Sequence, residues 1–391
     1  MISPPETPAL PDARTWIEID LEALRHNCRA AQACFPDPVP GVLAVVKADG
    51  YGLGMVPVAR AMQDLVRALA VANVTEARVL REAGFTLPIY ILGPALPSEW
   101  EAVAAGGFCP AISTLEEVSG YARAAARQGH PLPVHVVIDT GMGRLGALPG
   151  EAAALLSAVL DSPFLKLDSV ASHFPSADDD PSYTEAQTNR FKSLITEFRA
   201  GGLAIAPTQL ANSAGLTAYP QTDGSWARAG LMLYGVSPVP RDQTRLRPVV
   251  TWKTRIALIR ELPAGHGISY GRTFITTRPT WVATLAVGYA DGFPRQASGQ
   301  GAAALIAGCR CPVLGRITMD QIMVDVTDLP DRPAPGDEVV LVGRQGNLEI
   351  TAPELAAQGG TIAWDLFTGL GPRVRRCYSV PCSDSIPHPS A

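Results

Sequence analysis

Eight short apolar runs recur between residues 41 and 233, at 41–47, 68–72, 89–92, 109–112, 134–138, 166–172, 207–211 and 229–233. Amphipathic segments lie between them, such as Val56–Leu65, Thr114–Gln128 and Tyr183–Phe198. Strands that alternate with helices pair in parallel, because each strand must cross over the sheet before the next one starts. Eight such units in roughly 200 residues are the size of one closed barrel. The expected fold class is therefore α/β, an eight-stranded β/α (TIM-type) barrel. A doubly wound open sheet is the runner-up, and no GxGxxG follows the first strand to support it.

Near Pro238–Pro248 the pattern changes. Strand-like runs at 248–259, 281–288, 302–306, 311–314, 322–326 and 338–342 follow one another with turns between them, interrupted by one helical patch from Pro353 to Phe367. Strands without alternating helices predict a separate, mainly antiparallel β domain. The expected organisation is a flexible tail at 1–13, a barrel at 14–240, a β domain at 241–378 and a second flexible tail at 379–391. Residues 14–20 alternate as a strand that can belong to either domain. Asp20 is placed to cap a helix running to about Ala33, with Glu22 in its first turn.

In a barrel of this kind the chemistry sits at the C-terminal ends of the strands. The first strand stops at Lys47, inside Ala44-Val-Val-Lys-Ala-Asp-Gly-Tyr-Gly52. A lysine at such a mouth, taken partly out of water, loses basicity and becomes a nucleophile, as a Schiff base requires. A solvated lysine that merely ends a strand is the plain alternative, and the residue alone does not separate the two. Its companions do. Arg144 follows the fifth strand, His173 ends the sixth, Asn212-Ser213-Ala214-Gly215 follows the seventh before a short helix, and Arg228 and Gly230 lie at the eighth. Hydroxyls and backbone N–H groups ahead of a helix suit a phosphate, and barrels often bind one near strands seven and eight. Each residue has a structural explanation of its own: a core histidine, a helix cap, a surface ion pair. Their joint placement on one rim favours a site.

Composition removes several alternatives. Hydrophobic residues at 47% and charged residues at 18% are ordinary for a soluble enzyme. A net charge of -5 offers no electrostatic footprint for nucleic acid. No apolar run approaches the ~20 residues that span a bilayer, and the Pro-rich start lacks a signal pattern, so a cytoplasmic location is expected. Seven cysteines without a paired CxxC, and six histidines without HExxH, predict no metal site.

The stretch Ala44–Gly52 resembles the lysine motif of the alanine racemases, pyridoxal 5′-phosphate (PLP) enzymes built from a barrel and a β domain. The resemblance continues through Asp139–Gly146, Ser172-His173-Phe174, Ala211–Ser213, Arg228–Gly235, Ile268–Gly271, Gly288–Gly292 and Gly315–Gln321, and covers residues 14 to 378. It implies that Lys47 holds PLP covalently and then serves as a base on one face of the substrate. Tyr270 would be the base on the other face, contributed by a partner subunit in a head-to-tail homodimer with shared active sites. A single lysine cannot serve both faces of a planar carbon, so a second group is chemically required. A free phenol titrates near 10, too high for a good base, and a nearby cation lowers it. Arg144 resembles the family arginine in that position.

Arg228 matches the residue facing the pyridine nitrogen. Arginine keeps its protons, so the ring nitrogen would stay unprotonated and the cofactor a weaker electron sink. That favours reprotonation at the same carbon over transamination. By the same resemblance His173 packs against the ring, and Tyr51, Asn212, Ser213, Gly230 and Leu231 surround the phosphate. Arg144 and Met319 bind the substrate carboxylate, and Tyr289 narrows the entrance to small side chains. The implied reaction is interconversion of L- and D-alanine, with D-alanine serving peptidoglycan.

Three departures from the family pattern stand out. Val137 sits where many members carry a carbamylated lysine that orients the arginine, so Arg144 must be held by a bound anion or by a neighbouring side chain. Near Gly371-Pro372-Arg373 the motif does not match closely enough to assign the tyrosine that often touches the phosphate. Leu53 and Thr318 replace residues frequent in the family. Two other readings compete. A PLP decarboxylase of barrel-plus-β design needs polar groups for a longer substrate, where this chain has Tyr270 and Tyr289. A non-catalytic PLP carrier would match the barrel half only.

Overall fold

The computed structural model describes residues 13–35, 41–219 and 225–379. Two compact units result: Leu24–Arg247, and the residues up to Ala23 together with those from Pro248 onward. The division falls at 247 rather than at 240. Gln243 explains the difference: its side chain accepts from the Ser237 N–H at 2.8 Å and donates to the Gly235 carbonyl at 2.9 Å. Asn27 likewise donates to the Arg247 carbonyl and accepts from the Arg247 N–H, both at 2.8 Å. The chain therefore stays tied to the first unit for seven residues beyond the expected border.

The unit Leu24–Arg247 carries eight parallel strands: β2 (Val42–Val45), β3 (Ala68–Val71), β4 (Ile89–Ile91), β5 (Cys109–Ile112), β6 (Leu132–Val137), β7 (Leu165–Ala171), β8 (Thr208–Gln209) and β9 (Ala227–Ala229), preceded in the chain by β1 (Thr15–Asp20). Their order is β8-β7-β6-β5-β4-β3-β2-β9. A parallel bridge between Gln209 and Trp226 joins the two ends, with Trp226 donating to the Thr208 carbonyl at 3.1 Å. The expected barrel is thus present, narrowly closed. Most of its short strands are buried along their whole length, as both faces of a parallel sheet must be. Leu43, Val45, Ala68, Ala70, Tyr90, Cys109 and Trp226 form one packed cluster.

One strand differs from expectation. Residues 229–233 read as apolar and β-prone, yet the strand is Ala227–Ala229 and Leu231–Tyr234 is a 3-10 turn. The chain bends at Gly230 (φ −120°, ψ −95°), and the Gly230 and Met232 N–H groups then donate to the Ser213 hydroxyl at 3.0 and 3.4 Å. Periodicity cannot see a turn whose donors are satisfied by a distant side chain.

The other unit is a mainly antiparallel sheet. Its long strand β10 (Val250–Leu262) pairs with β1, with Thr280–Leu285 and with Glu338–Gln345. Strand β1 also pairs, in parallel, with Arg375–Ser379. The strand Thr15–Asp20 therefore joins the β sheet, and Ser379 belongs to a strand rather than to the tail. The remaining tail residues lie outside those described. The expected helical patch at 353–367 is two helices, Ala352–Gln358 and Ala363–Thr368, broken at Gly359-Gly360, where Gly360 has φ +68°. Asp20 caps the helix Leu21–Gln32 as expected, accepting from the Ala23 N–H at 2.8 Å.

Candidate active site

Immediately after β2 the chain enters a left-handed turn. Ala48, Asp49, Gly50 and Tyr51 have φ of +53°, +52°, +63° and +56°. Each non-glycine residue there costs about 1–2 kcal/mol. Such strain persists only where surrounding contacts over-determine it, and it concentrates at functional sites. Here Glu76 supplies much of the restraint: its carboxylate accepts from the Ala48 N–H at 2.7 Å and from the Ala72 N–H at 2.8 Å. Asp49 accepts from the Met55 N–H at 2.8 Å. The Tyr51 ring stacks on Tyr234, centroids 4.4 Å apart, and the Tyr234 hydroxyl donates to the Val45 carbonyl at 3.0 Å. Glu76 and Tyr234 escape a sequence reading, because the first resembles a first-turn acid beside its cap Asn73 and the second one more apolar-run aromatic.

Lys47, half-buried, is held below its ordinary basicity by burial first and by Arg144 second, with Glu76 opposing. Loss of water and a neighbouring cation both favour the neutral amine. His173 is pushed down to about 3 by burial and by Arg228, Arg144 and Lys47, so it is neutral. Its Nδ1 accepts from Arg228 Nη2 at 3.3 Å. Arg228 is 6% exposed and lowered to about 10 by burial and Arg144. Its hydrogen bonds run to neutral groups: the Gln209 carbonyl and Oε1 at 3.0 and 3.1 Å, the Leu210 carbonyl at 3.3 Å, and the Ser172 carbonyl. A buried guanidinium without a carboxylate is costly. It fits a ligand that brings an acceptor or negative charge.

Ser213 begins the helix Ser213–Ala218, capped by Asn212. Since the Ser213 oxygen accepts two backbone N–H groups, its proton is free to point outward. A Cβ at Gly230 would collide with the Tyr51 hydroxyl, so the two hydroxyls flank a backbone approachable only because residue 230 is glycine. Burial raises the Tyr51 phenol to about 12 and keeps it a donor. Two O–H donors beside a glycine at the barrel rim suit a phosphate, as a PLP phosphate requires. Asn212 is spent otherwise: it accepts from the Gly215 N–H at 2.9 Å and donates to the Phe174 carbonyl at 3.1 Å, so it orders the helix. Leu231 is buried in the adjoining turn.

Arg144 is exposed on the loop after β6. Asp139 collects the Gly141, Met142 and Gly143 N–H groups at 2.8–2.9 Å, and Val137 packs with Ala111, Ala171 and Leu145. Where a carbamylated lysine would stand, the wall is apolar. Among the described residues no group of three or more possible metal ligands occurs.

In the β unit, Tyr270 lies in a tight turn between Gly267–Ile268 and Phe274–Ile275 and is 71% exposed. Ser269 donates to the Arg316 carbonyl at 2.6 Å, tying this turn to the segment that carries Met319. Met319 and Tyr289 are exposed at 52% and 39%. Their segments are joined by Tyr289 donating to the Thr318 carbonyl and Ala290 to the Met319 carbonyl, each at 3.0 Å. Arg373 bridges Asp291 at 3.0 Å and Asp320 at 2.7 Å, tying the segments of Tyr289 and Met319 together.

The histidines give a pH signature. His135 in the barrel core is lowered to about 4, mainly by burial, and His173 to about 3. Both folded values lie below the ordinary 6.5, so the unfolded chain binds more protons in between. Their contribution is intact above about 6.5 and is lost as pH falls toward 4 and then 3. Urea unfolding between pH 7 and 5 should show stability falling on the order of 1 kcal/mol per pH unit per histidine. His135→Gln should flatten that slope, and an unchanged slope would contradict this assignment.

Comparisons with known proteins identify the family. Residues 19–238 match the alanine racemase N-terminal domain and 249–378 the C-terminal domain. The alanine racemase of Symbiobacterium thermophilum is 43% identical over 369 residues, 93% of this chain and 97% of its own. That of Halothermothrix orenii is 41% identical over 369 residues, 93% and 96% of the two chains. The crystal structure of alanine racemase from Streptomyces lavendulae superposes with a TM-score of 0.87 at 35% identity, covering 94% of this chain and 97% of that one. The Bartonella henselae enzyme, solved with covalently bound pyridoxal phosphate, gives 0.85 at 29% identity, covering 94% and 100%. With both domain families matched in order along nearly the whole chain, the protein belongs to the alanine racemase family.

Proposed function

We propose that this protein interconverts L- and D-alanine with PLP bound at the barrel rim by Lys47. The observation that carries this is the Lys47 amine itself, half-buried, short of its ordinary basicity, and set beside Arg144 and His173. When bound, PLP supplies a conjugated ring that acidifies the substrate's Cα–H bond. Lys47 then takes or returns the proton at Cα on one face. Tyr270 of the partner subunit does so on the other, in a head-to-tail homodimer. Exposure of Tyr270, Tyr289 and Met319 on neighbouring turns supports that arrangement.

Arg228, which can only donate, holds the ring nitrogen without protonating it, so the proton returns to Cα and transamination is disfavoured. His173, neutral, lies against the ring. Tyr51 and Ser213 donate to the phosphate beside Gly230. Arg144 and the Met319 backbone hold the carboxylate, and Tyr289 limits side-chain size. A further methylene changes binding by only ~1–3 kcal/mol, so small residues such as serine are the nearest competitors. The protein works in the cytoplasm and supplies D-alanine for peptidoglycan.

Deuterium wash-in at Cα across the twenty amino acids tests the reading. Rapid label in alanine from either enantiomer is expected. No exchange in alanine, or carbon dioxide release from a diamino acid, would overturn it.

A further inference from the structure

With valine at 137, the loop that carries Arg144 needs support from elsewhere. Besides Asp139 within the loop, the helix Pro181–Ala200 behind it supplies part of that support. Three residues of that helix, Tyr183, Gln187 and Arg190, are spaced along one face. The Tyr183 hydroxyl donates to the Gly141 carbonyl at 2.8 Å, and Arg190 Nη1 donates to the Thr140 carbonyl at 2.6 Å. Between them Gln187 is 1% exposed. Its Nε2 donates to the Thr140 hydroxyl at 3.0 Å and to the His173 carbonyl at 2.7 Å. Thr140 in turn shares a 2.6 Å hydrogen bond with Ser172.

The orientation of the Gln187 amide follows from its partners. The His173 carbonyl can only accept, so the NH2 must face it, and the amide oxygen must point away. That oxygen is buried with no hydrogen-bond partner among the described residues. A buried unsatisfied oxygen is destabilising. The amide serves to fix two segments at once: the loop with Arg144 and the strand end with His173.

We propose that Gln187 is a positioning residue for the loop that carries Arg144, holding that loop from behind at Thr140 so that Arg144 is set for the substrate carboxylate. This rests on the proposed racemase reading, in which Arg144 meets that carboxylate. Gln187 touches neither substrate nor cofactor and acts through the loop.

A double-mutant cycle tests it. Gln187→Met keeps length and bulk without donors, and Thr140→Val keeps shape without the hydroxyl. Each is expected to raise KM for alanine by roughly three- to tenfold, the size of one or two neutral hydrogen bonds, with a smaller change in kcat and full PLP content. The double variant should cost less than the product of the two single effects, because both remove the Gln187–Thr140 bond. Amide hydrogen exchange, which needs no turnover, should speed up at Gly141–Gly146 in both variants while residues 132–137 stay protected. Unchanged loop exchange, or multiplying KM effects, would overturn the proposal. Failure of the unmodified protein to racemise alanine would sink the racemase reading instead, with the loop's exchange still deciding whether Gln187 holds it.

Discussion

The Lys47→Ala variant is expected to lose turnover of both alanine enantiomers by on the order of 10²–10⁴-fold from the missing proton transfer alone, and to lose the covalent hold on PLP besides. Both directions suffer because every turnover takes a proton from one face and returns one to the other. The environment explains why no nearby group substitutes. Arginine keeps its protons, and His173, at about 3 in the unmodified protein, is lowered chiefly by burial and by Arg228, which the substitution leaves in place. That value makes it a poor proton acceptor near neutral pH. Steady-state rates in each direction, with absorbance of bound PLP, measure the effect. Retention of turnover in the variant would remove Lys47 from the chemistry.

Tyr270→Phe is expected to be nearly as damaging and more selective. It deletes one oxygen from a residue that is 71% exposed, so folding and PLP content should be preserved. Net racemisation should fall on the order of 10²–10⁴-fold, the usual weight of one positioned acid or base. Exchange of Cα hydrogen with solvent should survive from the enantiomer that presents its hydrogen to Lys47 and disappear from the other. Running the reaction from each pure enantiomer in deuterium oxide reads this directly. Equal loss from both would contradict a division of labour between two bases.

The barrel could be read from the chain because its signal is local: short apolar runs, each followed by an amphipathic helix, repeated eight times. The strand ends were harder. Leu231–Tyr234 looks like strand and turns instead, because Ser213, eighteen residues from its nearest member, satisfies the turn's N–H groups. The helical patch near 353–367 divides at a glycine pair that a tolerant reading passes over. Of the proposed site, Lys47, Arg144, His173, Ser213 and Arg228 were visible because each is an unusual residue at a strand end. Glu76, Gln187, Gln209 and Tyr234 were not. They act on backbone groups or on other side chains, and nothing in a linear sequence marks a glutamine that bridges Thr140 and His173 from a helix behind them. Asn212 is a polar residue in a suggestive place whose side-chain oxygen caps its own helix and whose NH2 holds the Phe174 carbonyl. Val137 was legible as a departure, but its consequence needed the packing of Ala111, Ala171 and Leu145 to be seen.

Everything proposed about this protein depends on one bond, between the Lys47 amine and the carbonyl carbon of PLP. Borohydride reduction of the purified holoenzyme, followed by digestion and mass spectrometry, reads that bond at single-residue resolution. A reduced pyridoxyl group on the peptide containing Lys47, and on no other lysine, is the predicted result. A label on Lys166, Lys192 or Lys253, or no label at all on protein that racemises alanine, would contradict it.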